Sequence, residues 1–514
     1  MKPLKLFSNR ILITSLLLLV QLTWFVLFLI RLTNNSAWIS TGFTMLSILI
    51  ILFIIRKDEN AAYKIGWIVL IMSLPLFGGL FYLFFGNKGT SKYMQSLLLK
   101  EQSRVDDILI PEPSLLDRIG QDNSRVMSTC RYLQEKNRNI LYTNTSVVYY
   151  PLGELMYQDM LTELKKAEKY IYLEYFIIEN GLMWEGILDI LTEKAAKGVD
   201  VRLIYDDFGS LFLLPANFVK QMQQRGIKCI AFNRFRPILS LVMNNRDHRK
   251  ILVIDGNTAF NGGINIADEY INKKNRLGHW KDTGLKLQGD AVQGFTFMFL
   301  EMWNAFNKTK DSFEDYRIAT AATSALSVSE TDSNDYVQPF SDSPFDGETT
   351  SENVYIELLS QAKKYVYIFT PYLIIDDEMK YALTMAAKRG IDVRIVTPGI
   401  PDKKLVYRLT RSYYEPLIKA GVRIYEYTPG FLHAKSYVCD DEMAVVGTIN
   451  MDYRSLYLHF ECGTFLYRNR CILDLKKDAL ETIDKSREVQ LSDCKEGFFT
   501  SLFNSVLRVL SPLF

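Results

Sequence analysis

The sequence predicts an α/β protein in which two similar domains share one composite site across a pseudo-twofold axis, preceded by apolar N-terminal helices. Three observations carry this. The chain of 514 residues opens with three long apolar segments, its remainder repeats itself, and each repeat holds the same histidine–lysine–aspartate pattern. At this length a single ordinary core is not expected.

The apolar segments come first. "ILITSLLLLVQLTWFVLFLI" (11–30) carries no charge and has the length to cross a hydrocarbon core of roughly 30 Å. "WISTGFTMLSILIILFII" (38–55) follows, then "IGWIVLIMSLPLFGGLFYLFF" (65–85), which contains Pro75 and Gly78-Gly79. No small-residue cleavage site follows the first segment, so a removed signal peptide is disfavoured. Residues 1–92 are therefore expected to form a multi-pass membrane region. Lys2, Lys5 and Arg10 precede the first segment, and Arg56, Lys57 and Lys64 separate the second from the third. If all three cross, the N-terminus is cytoplasmic and the large domain lies outside; a re-entrant third segment reverses the side.

The repeat comes next. "KKAEKYIYLEYFII" (165–178) resembles "QAKKYVYIFTPYLII" (361–375), and "KAAKGVDVRLIYDD" (194–207) resembles "MAAKRGIDVRIVTPG" (385–399). Each half reads as strand, helix and strand, with Gly198 and Gly390 stopping the helices, which is the order of parallel α/β units. The Ser-, Asp- and Thr-rich stretch 324–350 reads as a linker or a surface loop. The expected domains are thus 93–323 and 351–514.

Later in each half stands the chemistry. "DHRKILVID" (247–255) places His248 and Lys250 two apart, so that an extended chain turns both to one face. The run Ile251–Ile254 reads as a strand covered on both faces, closed by Asp255-Gly256. "HAKSYVCD" (433–440) repeats the spacing with His433, Lys435 and Asp440, in a chain with only four histidines. Gly262-Gly263 and Asn265 are echoed by Gly447-Thr448 and Asn450. Two such pairs suit phosphoryl transfer without a metal. One imidazole attacks phosphorus while the other shuttles the proton of the leaving and incoming oxygens. The lysines, with Asn265 and Asn450, would hold the phosphate oxygens. Asp282 in "HWKDTG" and Glu461 in "HFECG" are candidate carboxylates to orient the histidines, each downstream of its own motif; ordinary surface acids are the alternative. No grouping of His, Cys and carboxylate at metal-ligand spacing stands in the sequence, and no metal or cofactor is expected. The six cysteines, 130, 229, 439, 462, 471 and 494, are scattered without a CxxC pair.

The two motifs resemble the paired HxKx4D motifs of the phospholipase D superfamily. The surroundings "NNRDHRKILVIDGNTAFNGGINIADEY" and "HAKSYVCDDEMAVVGTINMDYRSL", with "PLFGGLFYLFFG" in the membrane region, resemble bacterial cardiolipin synthases from about residue 60 to the end. His459 departs from that pattern, where Asn is expected. The resemblance implies two phospholipase D-like α/β/α sandwich domains in a bacterial cell membrane. It also implies transfer of a phosphatidyl group from one phosphatidylglycerol to another through a phosphatidyl-histidine. The N-terminal motif's His248 would be the nucleophile and His433 the acid/base; the symmetry of the motifs does not itself assign these roles.

Partners follow from this: phosphatidylglycerol and anionic membrane lipids. The apolar stretch in "RFRPILSLVMNNR" (234–246) and residues 431–432 in "GFLHAK" read either as membrane-dipping rims or as buried strands. Segment 498–514 forms an amphipathic helix with Phe499, Leu502, Phe503, Val506, Leu507 and Leu510 on one face. That face either docks on the core or lies on the membrane. A membrane phospholipase D, or a synthase using another alcohol, shares every motif residue. A nuclease is disfavoured by the apolar segments, the net charge of only +2 and the lack of a basic, aromatic-studded groove, so no nucleic acid is expected. A non-catalytic scaffold is disfavoured because both motifs are complete.

Overall fold

The computed structural model describes residues 19, 23–24, 26–28, 31, 37–86, 92–106, 108–235, 245–307, 310–317 and 335–513. The chain divides into two compact units. One comprises Met1–Lys92, Phe235–Asn245 and Ser505–Phe514, and the other Tyr93–Arg234 with Arg246–Asn504.

In the first unit, helices span Ala37–Arg56, Ala61–Ser73 and Pro75–Phe85. Asn60 starts the second by accepting a hydrogen bond from the Ala62 N–H at 3.0 Å. The expected single segment 65–85 is broken. Leu74 leaves helical geometry at φ −135°, and Pro75, which has no N–H to donate, opens the next helix. Gly78 then lets this helix fold back closely, since a Cβ there would lie 2.6 Å from the Ile71 Cα. Ile50, Ile54, Ile71 and Tyr82 form the small shared core. No helix among the described residues is long and apolar enough to cross a membrane. Segment 11–30 lies largely outside the described residues.

The second unit contains two mixed sheets. The strands of the first half are β1 (Thr145–Tyr150), β2 (Tyr170–Tyr175), β3 (Asp200–Asp206), β4 (Lys228–Phe232), β5 (Lys250–Ile254), β6 (Thr258–Gly262), β7 (His279–Lys281) and β8 (Gly284–Gly289). Those of the second are β9 (Tyr336–Asp342), β10 (Tyr365–Phe369), β11 (Asp392–Pro398), β12 (Arg423–Tyr427), β13 (Gly430–Leu432), β14 (Ser436–Cys439), β15 (Met443–Gly447), β16 (Glu461–Tyr467) and β17 (Ser486–Glu488). The first sheet runs β1-β8-β6-β5-β2-β3-β4. The second runs β9-β16-β15-β14-β10-β11-β12 and ends on β17. The two orders match strand for strand, with β17 the addition. As the sequence repeat requires, β2 and β3 are parallel, as are β10 and β11. The helices between them end at Gly198 and Gly390, with φ of 90° and 89°, a left-handed conformation that glycine adopts without cost from a Cβ.

β5 is covered on both faces, as its unbroken apolar run implies. Ile251 and Val253 join a core with helix Val292–Phe306 and with Val438 and Val446 of the second sheet. Leu252 and Ile254 face the opposite way, toward helices Gly153–Lys166 and Leu182–Ala196. The core between the sheets thus joins the two halves.

Two boundaries are corrected. Segment 324–350 is not wholly a linker: β9 lies within it and pairs antiparallel along the whole of β16. Its Val337 and Phe340 are fully buried, whereas the Ser- and Asp-rich composition around them suggested a loop. The C-terminal helix ends at Val509 and is followed by a 3₁₀ turn, Ser511–Leu513. Its apolar side is largely exposed, with Phe499 at 83%, while polar Asn504 is buried and accepts from Arg408 Nε at 2.8 Å.

Candidate active site

Each motif histidine is set in place by the other half of the unit. Residues 246–248 lie alongside Phe460: the Phe460 N–H donates to the Arg246 carbonyl at 2.8 Å, and the His248 N–H donates to the Phe460 carbonyl at 2.9 Å. Phe460 immediately precedes Glu461. The second motif repeats the arrangement. β13 pairs in parallel with β7, and the His433 N–H donates to the Lys281 carbonyl at 2.7 Å, immediately before Asp282.

The carboxylates are therefore exchanged. His248 Nδ1 lies 2.8 and 3.0 Å from the two oxygens of Glu461, and His433 Nδ1 lies 2.6 Å from Asp282 Oδ2. Asp282 and Glu461 lie within hydrogen-bond distance of the motif histidines, and each stands beside the motif of the opposite half. The shells differ in one respect. Thr448 donates its hydroxyl to Glu461 Oε2, whereas its counterpart Gly263 leaves room for Asp282, where a Cβ would lie 2.1 Å from Oδ1.

Lys250 and Lys435 each donate to the carbonyl of their own motif histidine, and Lys435 Nζ lies 2.8 and 3.0 Å from the two ring nitrogens of His433. His248 is not itself in β5; the strand begins at Lys250. All four groups are buried. Burial, then the neighbouring Lys250, pushes the His248 imidazole well below its usual range. Burial and Lys435 bring His433 down to about 4, against the opposing pull of Asp282. Burial also lowers Lys250 to about 8 and Lys435 to about 7. The two carboxyls part company. Burial pushes Glu461 well up, whereas at Asp282 the upward push of burial is outweighed by His433 and Lys435, which hold it low. His248 reaches Glu461 and His433 reaches Asp282 across the same interface between the halves, which brings the two motifs together there.

Several expected roles change. Asp255 and Asp440 sit at the far end of their strands, about 16 Å from the lysines at ~3.3 Å per residue. Both adopt positive φ, 52° and 54°. Asp255 accepts from the N–H groups of Glu168, Lys169 and Tyr170 at 2.7–2.9 Å, and Asp440 from those of Lys363, Lys364 and Tyr365 at 2.6–2.8 Å. They fasten the turn after the strand to the start of β2 or β10; neither belongs to the reacting centre. Asn265 is engaged at both ends, accepting from the Ile177 N–H at 3.1 Å and donating to Tyr270 Oη at 2.7 Å. It is not poised toward a phosphate. Asn450 Oδ1 is buried without a partner, so the two asparagines are not equivalent. Phe431 and Leu432 are buried strand residues, Phe431 packing 4.7 Å from Trp280, and form no membrane rim. The other expected rim, 237–243, lies outside the described residues.

His459, marked in the sequence only as a departure from the family pattern, stands beside the first motif. The His459 ring lies 5.5 Å from that of His248, and its Nδ1 lies 3.9 Å from Glu461 Oε1. The signal was its place two residues before Glu461. Ligand atoms of His248, His459 and Glu461 lie within 4.8 Å of one another, a group able to hold a metal ion. The expectation of no metal-ligand grouping is corrected here, because the donors come from opposite halves and no local spacing shows them.

Comparison with known proteins gives concordant findings. Residues 160–303 and 355–482 match the family described as "Cardiolipin synthase, PLD-like domain", and residues 45–87 match "Phospholipase_D-nuclease N-terminal". A cardiolipin synthase of Geobacillus kaustophilus is 35% identical, over 91% of this chain and 92% of its own. One of Alkalihalophilus pseudofirmus is 33% identical, over 92% and 93%. An uncharacterized protein of Streptococcus mutans is 44% identical, over 90% and 99%. The crystal structure of a phosphatidylserine synthase from Haemophilus influenzae shares the fold, with a TM-score of 0.57 at 14% identity, covering 75% of this chain and 100% of that one.

Proposed function

The chain belongs to the cardiolipin synthase family of phospholipase D-like proteins, and we propose that it transfers a phosphatidyl group from one phosphatidylglycerol to another, yielding cardiolipin and glycerol. The observation that carries the mechanism is the pair of buried histidines, each fixed at Nδ1 by a carboxylate of the opposite half. Fixing Nδ1 directs Nε2 toward the substrate.

His248 Nε2 attacks phosphorus, forming a P–N bond as the P–O bond to glycerol breaks. His433 gives its proton to the departing alkoxide. A second phosphatidylglycerol then attacks through its glycerol hydroxyl, whose proton passes to His433, and the P–N bond breaks. Lys250 and Lys435 balance the phosphate's charge. The unequal carboxyls favour this division of roles. An ionised Asp282 stabilises the protonated form of His433, whereas burial of both Glu461 and His248 keeps the His248 lone pair available.

We read the chain as a membrane-bound enzyme of the bacterial cell membrane, with residues 1–92 as a multi-pass anchor and two catalytic halves, 93–323 and 351–514, the second extended to include β9. Met45, Ile48, Leu49, Leu52 and Phe53 of Ala37–Arg56 are exposed, as are Phe498, Phe499 and Leu502 of the C-terminal helix, and such apolar surface favours a lipid environment. Retention of the protein in carbonate-washed membranes is the expected result, and its release would count against the anchor. The activity is tested with purified full-length chain in liposomes holding labelled phosphatidylglycerol. Cardiolipin and glycerol should appear in equal amounts; mainly phosphatidic acid would make the protein a hydrolase.

A further inference from the structure

Resting on the cardiolipin synthase reading, we infer that Arg246 and His459 form an anion subsite beside the reacting centre that binds the phosphate of the acceptor lipid. Two buried nitrogens support it. Arg246 Nη2 and His459 Nδ1 each lack a hydrogen-bond partner, although the Arg246 side chain is only 4% exposed and that of His459 10%. A buried donor without a partner is costly, and a cationic one more so, so such atoms point to a group that arrives with the substrate.

The surroundings restrict what that group is. The Phe460 N–H bonds to the Arg246 carbonyl, which brings the backbone of Arg246 against the segment that carries His459. The His459 ring lies 5.5 Å from the His248 ring, and Phe176 packs against both, at 6.5 and 4.9 Å. Arg246 is steadied through Nη1 by the Asn233 carbonyl at 2.9 Å and the Asp206 carboxyl at 3.7 Å, and by Phe208, whose ring centre is 4.8 Å from the guanidinium carbon. That hold leaves Nη2 as its uncommitted edge. An uncommitted guanidinium nitrogen beside an uncommitted imidazole nitrogen favours an anion.

The reaction supplies one at that distance. In cardiolipin a single glycerol joins the two phosphates. While one phosphorus is held on His248, the acceptor's own phosphate must therefore sit one glycerol away, next to the centre and not in bulk solvent. The free Nη2 of the guanidinium and an imidazole that carries its proton on Nδ1 are suited to its oxygens. Water and simple alcohols have no phosphate and gain nothing from the subsite, so it favours synthesis over hydrolysis.

The test uses the full-length protein in mixed micelles with labelled phosphatidylglycerol and butanol as a competing acceptor. The readout is the ratio of cardiolipin to phosphatidylbutanol. Arg246→Gln and His459→Gln should each lower this ratio about tenfold, from loss of one charge-assisted or buried hydrogen bond, while phosphatidylbutanol continues to form and reports an intact reacting centre. Arg246→Lys should recover part of the ratio. A ratio unchanged in both Gln variants, or parallel loss of both products in both, overturns the subsite. Failure of the underlying reading looks different: wild-type protein would then make phosphatidylbutanol and no cardiolipin.

Discussion

His248 and Glu461 are 213 positions apart and belong to opposite halves of the catalytic unit, yet His248 Nδ1 and Glu461 Oε1 lie 2.8 Å apart. The reciprocal bond joins His433 to Asp282 across 151 positions at 2.6 Å. Each half therefore completes the other half's histidine. Asp282→Asn and Glu461→Gln should each lower kcat by about a hundredfold to ten-thousandfold, the range for loss of a correctly poised acid or base. Circular dichroism should remain that of the folded protein. Near-normal turnover in either variant would remove the orienting role.

The two histidines should separate when the leaving group needs no proton. With a phosphatidyl nitrophenyl ester, His433→Ala is expected to release one burst of nitrophenolate and retain a phosphatidyl group on His248. His248→Ala should give no burst. Mass spectrometry of rapidly quenched protein reads the adduct, and an adduct on His433 in the wild type would reverse the assignment.

Alkaline pH should weaken substrate capture. Lys435 is lowered to about 7 and Lys250 to about 8 by burial, so their positive charge is lost as pH rises through that window. The protonated form holds the phosphate, so kcat/KM falls on the alkaline side. Bound anionic phosphate stabilises the charged lysines, so the corresponding limb in kcat lies at higher pH. Lys435→Arg, which stays charged, should move the kcat/KM limb upward. A profile flat from pH 6 to 9, a range of about three units around these groups, would contradict this origin.

Asp255 and Asp440 should behave as structural residues despite belonging to the motif. Asp255→Ala removes the acceptor for three backbone N–H groups and should cost about 1–3 kcal/mol of stability. The folded fraction should keep most of its kcat. Thermal unfolding alongside activity per folded molecule distinguishes the two effects, and a large kcat loss in a stable variant would return these aspartates to the chemistry.

Zinc should inhibit. His248, His459 and Glu461 offer a two-histidine, one-carboxylate set that suits this ion, and its occupation would take the nucleophile out of use. Chelators should leave turnover intact and reverse added zinc, because Lys250 and Lys435 supply the positive charge at phosphorus. His459→Asn should weaken zinc binding measured by calorimetry. Equal zinc affinity in that variant would show that the ion sits elsewhere.

The sequence alone determined the doubled α/β architecture and the two His–Lys pairs. Those features are written in local pattern: the apolar run after Lys250, the glycines that stop the helices at 198 and 390, and the repeated His-x-Lys spacing. It also pointed to Asp282 and Glu461 as carboxylate partners, by their types and their places downstream of the motifs. Tertiary structure decided which histidine each one serves. That choice depends on residues 246–248 lying beside Phe460 and on β13 lying beside β7, pairings across the interface that leave no periodicity in either segment. The same holds for His459, whose nearness to His248 comes only from that pairing, and for Asp255 and Asp440. Spacing grouped these aspartates with the chemistry, but an extended strand carries its two ends apart, so their carboxylates meet backbone N–H groups at the opposite end of the sheet.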